Sequence, residues 1–490
     1  MTSSSLDRAE SAPVPHHAAA SSPTAMDRLA LLVMLSGTFM VVMDFFIVNV
    51  ALPAIQRELH AGAGALQFVV AGYGLANAAG LITGGRLGDM LGRRRMFMLG
   101  LLLFALASAA CGLAPSAPVL VAARVAQGLA GALLQPQVLA MLSLTYTGPA
   151  RARAFAAYGL TLGLAALLGQ LVGGALIRAD LGGLGWRTCF LINVPVALIA
   201  LLLAPRVLRA SPATSGSKPD VPGMALLAAA LSALVWPLVE GRQQGWPPTA
   251  LLTLAMAPVL IAMFAWHQRR LHARGGQPLV SPALFAAPGF ARGLAVTVAF
   301  YAGNASFYFV LALYLQDGLG LSPLQGGGAF TMLALGFFAT SLAAPRITAR
   351  LGRSSIAYGA MLLAAGHWLQ LANTLLPWQA QSTGWLAVLL ILLVVEGAGI
   401  GMVMAPLACA VLAGTAQHHA GVAAGVLATV QQVGNSVGVA LVGNLFYARL
   451  EGAGAAHGYG SAFASCLGCL LGLALLVTHL CRGRRLAAAP

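Results

Sequence analysis

The chain has 490 residues, 59% of them hydrophobic and only 8% charged, with a formal net charge of +15. A soluble domain carries about 25% charged residues, so a water-soluble enzyme or binding module is excluded and a helical membrane protein is left. The positive charge does not signal nucleic acid, because the arginines sit in short segments between apolar runs and form no basic face.

Residues 1–25 are rich in Ser, Ala, Pro and His and read as a disordered tail. A membrane span needs about 20 mainly apolar residues. That rule predicts spans near 29–52, 64–84, 96–114, 118–144, 154–177, 188–204 and 221–239. Seven more follow near 249–266, 293–315, 324–344, 355–375, 384–413, 421–447 and 461–481, fourteen in all. With the N-terminal tail in the cytoplasm, 21 of the 27 Lys and Arg residues fall on the cytoplasmic side and 5 outside, Arg124 lying within a span. That asymmetry predicts both termini inside. No loop is long enough for a soluble domain, so whatever the protein does is expected within the membrane. Enzyme chemistry would need clustered His, Asp or Cys near one face, and only His418-His419 stand together there. Cys466-x-x-Cys469 lacks the second pair of a zinc site, and there is no P-loop, so neither metal nor nucleotide is expected.

Few charges lie inside spans. Asp44 sits in the first, where a charge costs about 2.5–3.5 kcal/mol even on the mildest insertion scale. It reads as a protonatable functional carboxylate or as the partner of another buried polar group. Arg124 is the one basic residue within a span, and Glu396 the one other acid well inside. Glu240, at a span end beside Arg242, reads as solvated, and His367 as a hydrogen-bonded core histidine. Tyr301, Asn304 and Tyr308 share one helical face of span 9, as packing or as an aromatic wall for a planar or cationic compound.

Two loops match at a constant offset of 260. Gly85-Arg86-Leu87-Gly88-Asp89-Met90-Leu91-Gly92-Arg93-Arg94 resembles Pro345-Arg346-Ile347-Thr348-Ala349-Arg350-Leu351-Gly352-Arg353-Ser354. The match predicts duplicated six-helix halves, a signature of secondary transporters. The halves are expected at 26–204 and 289–482, with linkers and two inserted helices at 205–288 and a short tail at 483–490. Glu396-Gly397 then falls where Gln127-Gly128 falls in the first half, which would turn Glu396 toward a central cavity.

Asp44 through Pro53 resembles the first-span motif of the fourteen-span drug:proton antiporters (EmrB/QacA type) of the major facilitator superfamily, with Phe46 where Thr is usual. Gly85 to Arg95 is similar to the superfamily's loop 2–3 signature, and Arg124-Val125-Ala126-Gln127-Gly128 to its span 4 motif. Trp186-Arg187 with Phe190-Leu191-Ile192-Asn193-Val194-Pro195 resembles the start of span 6. Span 5 departs from the antiporter motif, carrying Gln170 where proline is usual in Gly169-Gln170-Leu171-Val172-Gly173-Gly174.

The resemblance implies an all-α major facilitator fold of 14 transmembrane helices, two six-helix halves plus two inserted helices. It implies proton-coupled export of amphipathic, cationic small molecules across a bacterial inner membrane. A dedicated exporter of one antibiotic or metabolite, and an uptake symporter, are the alternatives. Asp44 and Arg124 would couple protons, Gly85, Asp89, Gly92 and Arg93 would form a conformational latch, and Gly169, Gln170, Gly173 and Gly174 the antiporter helix. Glu396, Gln127, Tyr301, Asn304 and Tyr308 would line the substrate cavity. The expected partners are a small-molecule substrate, protons and the bilayer, with no cofactor and no nucleic acid. The protein is expected to act as a monomer, alone or with a periplasmic adaptor protein.

Overall fold

Lipid offers no hydrogen bonds, so each apolar run must satisfy its backbone internally and becomes a helix. The computed structural model describes residues 25–146, 148–210, 220–241, 244–276, 278–286, 289–352, 354–375, 383–412, 420–452 and 458–482. The tails expected at 1–25 and 483–490 fall outside these residues, apart from Ala25, as do Lys218, Arg242, Arg353, His418 and His419. The first helices are α1 (Ala25–Leu59), α2 (Ala63–Leu91), α3 (Arg93–Gly112), α4 (Ala117–Thr145) and α5 (Gly148–Ala179). The sixth span is broken into α6 (Thr188–Leu191) and α7 (Asn193–Val207), because Pro195 has no N–H to bond the Leu191 carbonyl. Then come α8 (Val221–Glu240), α9 (Pro248–Ala273), α10 (Phe290–Leu313), α11 (Pro323–Leu351), α12 (Ser354–Leu375), α13 (Thr383–Leu412), α14 (Ala420–Gly452) and α15 (Gly458–Arg482). Among the described residues thirteen segments, α6 and α7 counting as one, are long and apolar enough to cross a membrane. The 22-residue α12, made less apolar by His367, Gln370 and Asn373, is the fourteenth.

Helices α1–α7 pack mainly on one another, as do α10–α15. The repeat has a physical counterpart at two places. Gly92 and Gly352 both turn their loops with positive φ, 94° and 55°, which a side chain would oppose. Gly128 of α4 lies against the backbone of Tyr73 on α2, and Gly397 of α13 against that of Leu333 on α11. Each glycine lets two backbones approach more closely than a Cβ would permit.

The inserted pair lies at the seam. Helix α8 packs on α2 and α14, while α9 packs on α8 and is otherwise largely exposed, its Leu252, Ile261 and Trp266 facing outward. Asp220 caps α8 by accepting from the Gly223 amide at 2.9 Å, and it also contacts His267 Nε2 and Gln268 Nε2, each at 2.7 Å. Burial alone would raise the Asp220 pKa. The bonds from His267, Gln268 and Gly223 outweigh burial and hold the carboxyl below its ordinary value.

The first and last helices begin and end on one face, here called the tail face. On the opposite face, Gln316 donates to the Val50 carbonyl at 3.0 Å and Arg57 lies 3.4 Å from Asp317. Gln316, a donor, and Asp317, an acceptor, both sit in a π turn at the end of α10, Tyr314–Gly318, a distortion that aims them across the seam. Ser436 and Thr429 of α14 donate to the carbonyls of Ala71 and Ala78 on α2. The two bundles are therefore stitched from the far face to about the middle of α2. A reporter fused at Pro247, between α8 and α9, is expected to read as external; a cytoplasmic reading would overturn the fourteen-span topology.

Candidate functional site

Asp44 lies midway along α1, fully buried, between α3, α4 and α7. Arg124 Nη1 of α4 donates to its Oδ2. Its Oδ1 accepts from Gln127 Nε2 at 2.8 Å and from Asn193 Nδ2 at 3.0 Å. Ser108 of α3 accepts from the same two amides at 3.0 and 3.1 Å and donates to the Phe190 carbonyl at 2.9 Å. Arg124 is held further by Nε to the Val69 carbonyl, 2.9 Å, and Nη1 to Gln127 Oε1, 2.7 Å. Its guanidinium lies 4.2 Å from the Tyr73 ring centre. A charge pair this deep is held more by its hydrogen bonds than by net attraction, since desolvation offsets most of the Coulomb gain. Arg124 Nη2 and Asn193 Oδ1 are left without partners among the described residues.

Gln127 belongs to this cluster and does not face a central cavity, because its amide is engaged by Asp44, Arg124, Ser108 and the Cys111 thiol. Asn193 and Ser108 complete the cluster without having been singled out as site residues; a neutral polar residue in an apolar helix carries little positional signal.

Glu396 is also fully buried, and it points into its own bundle: Oε1 lies 2.8 Å from His367 Nδ1 on α12. Gly366 makes this possible, since a Cβ there would stand 2.5 Å from Glu396 Cγ. Asn304 and His367 line one small cavity between α10, α12, α13 and α15. Tyr301 packs edge-on against Phe300 at 5.3 Å. Tyr308 reaches the seam, stacked on Phe330 at 5.6 Å and edge-on to Phe46 of α1 at 5.1 Å.

The glycines of α5 separate into two uses. A Cβ on Gly169 would lie 2.9 Å from the Met43 carbonyl and one on Gly173 2.7 Å from Ile47, so both seat α5 on α1. Gly174 meets the backbone of Leu324 across the seam, and the Gln170 carbonyl meets Gly327. Helix α5 runs unbroken through Gln170, whose side-chain amide is buried with no partner among the described residues.

At the tail face, Gly85 lies 3.5 Å from Pro136 for a Cβ placed on it, and Gly92 ends α2 and opens α3. Asp89 pairs with Arg93 within the loop, Arg86 donates to the Pro278 carbonyl, and Arg94 to that of Leu208 at 3.2 Å. The loop thereby ties α2 and α3 to the segments flanking the inserted pair. The Asp89–Arg93 pair is partly exposed, so it adds little to stability. If it serves as a latch, Asp89→Asn should leave folding intact and lower transport several-fold at matched expression; unaltered transport would make it a solvated turn.

A family model described as Major Facilitator Superfamily matches residues 34–439. The probable actinorhodin transporter of Streptomyces coelicolor is 39% identical over 446 residues, 90% of this chain and 76% of that protein. The puromycin resistance protein of Streptomyces alboniger is 36% identical, with 94% of this chain and 92% of that one covered. Among solved structures, a bacterial homolog of the human lysosomal transporter Spinster, inward-facing and unoccupied, aligns with a TM-score of 0.63 at 16% identity, covering 94% and 96% of the two chains. That last likeness concerns the fold alone.

Proposed function

Since the chain belongs to the major facilitator superfamily, we propose that it is a proton-coupled efflux antiporter exporting amphipathic small molecules, cations among them, across a bacterial inner membrane. The observation that carries the coupling is the Asp44–Arg124 pair, buried and held by Gln127 and Asn193. With Arg124 on its carboxylate, Asp44 has no need of a proton. When a shift of α4 against α1 within the N-terminal bundle, coupled to the rocking, draws Arg124 aside, the unpaired carboxylate is neutralised by a proton from the wetted side, and it surrenders that proton when the pair re-forms. One proton moving inward at about 100 mV supplies roughly 2.3 kcal/mol, enough for about a fifty-fold gradient of an uncharged substrate. One-for-one exchange with a monovalent cation moves no net charge and draws on the pH gradient instead.

If the tail face is cytoplasmic, the far face is closed and the molecule opens inward, the state in which an exporter would load its substrate. Tyr308, Phe330 and Phe46 offer ring faces where the bundles meet, which suits a planar or cationic compound. Export accords with the names of the relatives in Streptomyces, a transporter for actinorhodin and a resistance protein for puromycin. Those same names favour a second reading, a dedicated exporter of one antibiotic. Resistance profiling of an efflux-deficient host expressing the chain separates the two: protection against one chemical class supports the dedicated reading, and against several unrelated ones the broad reading. Protection that survives collapse of the proton gradient would refute proton coupling under either.

A further inference from the structure

The repeat carries Asp44 onto Asn304, both midway along the first helix of their bundles at the offset of 260. The matched crossings of Gly128 on Tyr73 and Gly397 on Leu333 carry Gln127 onto Glu396, each the residue preceding its glycine. The third member corresponds as well. Ser108 of α3 bonds Gln127, and His367 of α12 bonds Glu396. The C-terminal bundle thus repeats the positions of the cluster, with the acid moved from the first helix to the fourth and a histidine in place of the serine, while Asn304 Oδ1 has no partner among the described residues.

We propose that Glu396 and His367, beside Asn304, form a second proton-exchange site inside the C-terminal bundle. The 2.8 Å contact between Nδ1 and Oε1 requires one proton between them in every state. With that proton alone the pair carries one negative charge; with a second, on His367 Nε2 or on Glu396 Oε2, it is neutral. Oε2 has no partner among the described residues, and His367 lines the small cavity, so the second proton has a place on either group. Among the described residues no charged group other than His367 acts on Glu396: α11 brings Leu333 and Phe337 against α13, α10 brings Asn304 and Phe307, and α15 brings Leu470 and Leu473 to the cavity. Such apolar walls favour the neutral, two-proton form while the site is closed, and wetting releases one proton. The Asp44 site works in the opposite sense, being neutral when its carboxylate is unprotonated, because Arg124 supplies a fixed positive charge.

The use of this site in transport rests on the proton-coupled reading; its existence does not. The test is proton uptake by the purified full chain in lipid nanodiscs, without substrate or gradient, titrated from alkaline to acid buffer. Glu396→Gln should remove one proton from the uptake curve, because it lacks the acid, and His367→Gln should move that step along the pH axis, because the carboxyl loses the partner that shares its proton. Glu396→Asp should retain the step, and so should Asp44→Asn. Uptake curves of both Gln variants equal to that of the unmutated chain would overturn the proposal and leave a static hydrogen bond. Should Glu396→Gln not fold, the shift in His367→Gln carries the comparison. A failure of proton-driven efflux, by contrast, bears on the antiport reading and leaves this titration where it stands.

Discussion

Asp44→Asn is expected to leave a folded, inserted protein that no longer concentrates substrate against a gradient. The carboxamide matches the carboxylate in shape, but Asp44 accepts donors on both oxygens, Gln127 and Asn193 on one and Arg124 on the other. An amide offers only one acceptor atom, so either Arg124 or the two neighbouring amides must turn away. Losing the negative partner of a buried arginine costs about 3–5 kcal/mol, offset in part because the Val69 carbonyl, Gln127 Oε1 and the Tyr73 ring still hold the guanidinium. What disappears is the titratable group, and with it the roughly fifty-fold gradient of an uncharged substrate that one proton sustains at about 100 mV. The measurement is substrate efflux from proteoliposomes under an imposed proton gradient, beside gradient-free counterflow. Counterflow should persist while driven efflux falls to the protein-free level. Driven efflux at the unmutated rate would remove Asp44 from the coupling path.

Much of this was legible because charge is so rare in the spans. Asp44, Arg124 and Glu396 stand out against apolar neighbours, and the loop repeat pairs Gly92 with Gly352, both of which have positive φ. What sequence could not supply was direction. Gln127 and Glu396 were expected to face a central cavity, yet each is aimed within its own bundle, because a helix places residues on a face without saying which neighbour has room for them. Room is set by glycines on the partner helix: Gly366 lets Glu396 lie across α12 toward His367. The π turn at Tyr314–Gly318 left no trace in composition either, although it delivers Gln316 and Asp317 to the seam.

Arg124→Leu is expected to be the most damaging single substitution for folding. It removes the positive charge from a fully buried pair and leaves the Asp44 carboxylate with only the amides of Gln127 and Asn193. Breaking a buried pair from one side costs about 3–5 kcal/mol, because the remaining charge keeps its desolvation penalty and loses its partner. The Val69 carbonyl loses its donor too, and the Tyr73 ring its cation. Folded yield, read as the monodisperse fraction after solubilisation, should fall sharply, along with the unfolding temperature. The cause is separable from lost packing by adding Asp44→Asn. If the uncompensated carboxylate is the damage, the double variant should fold better than Arg124→Leu alone, a non-additivity expected only of residues that interact directly. It should nonetheless transport no better, since coupling needs both groups. A double variant as poorly folded as the single would show that Arg124 holds α4 against α2 through the Val69 and Tyr73 contacts, with the charge of Asp44 playing no part in its effect.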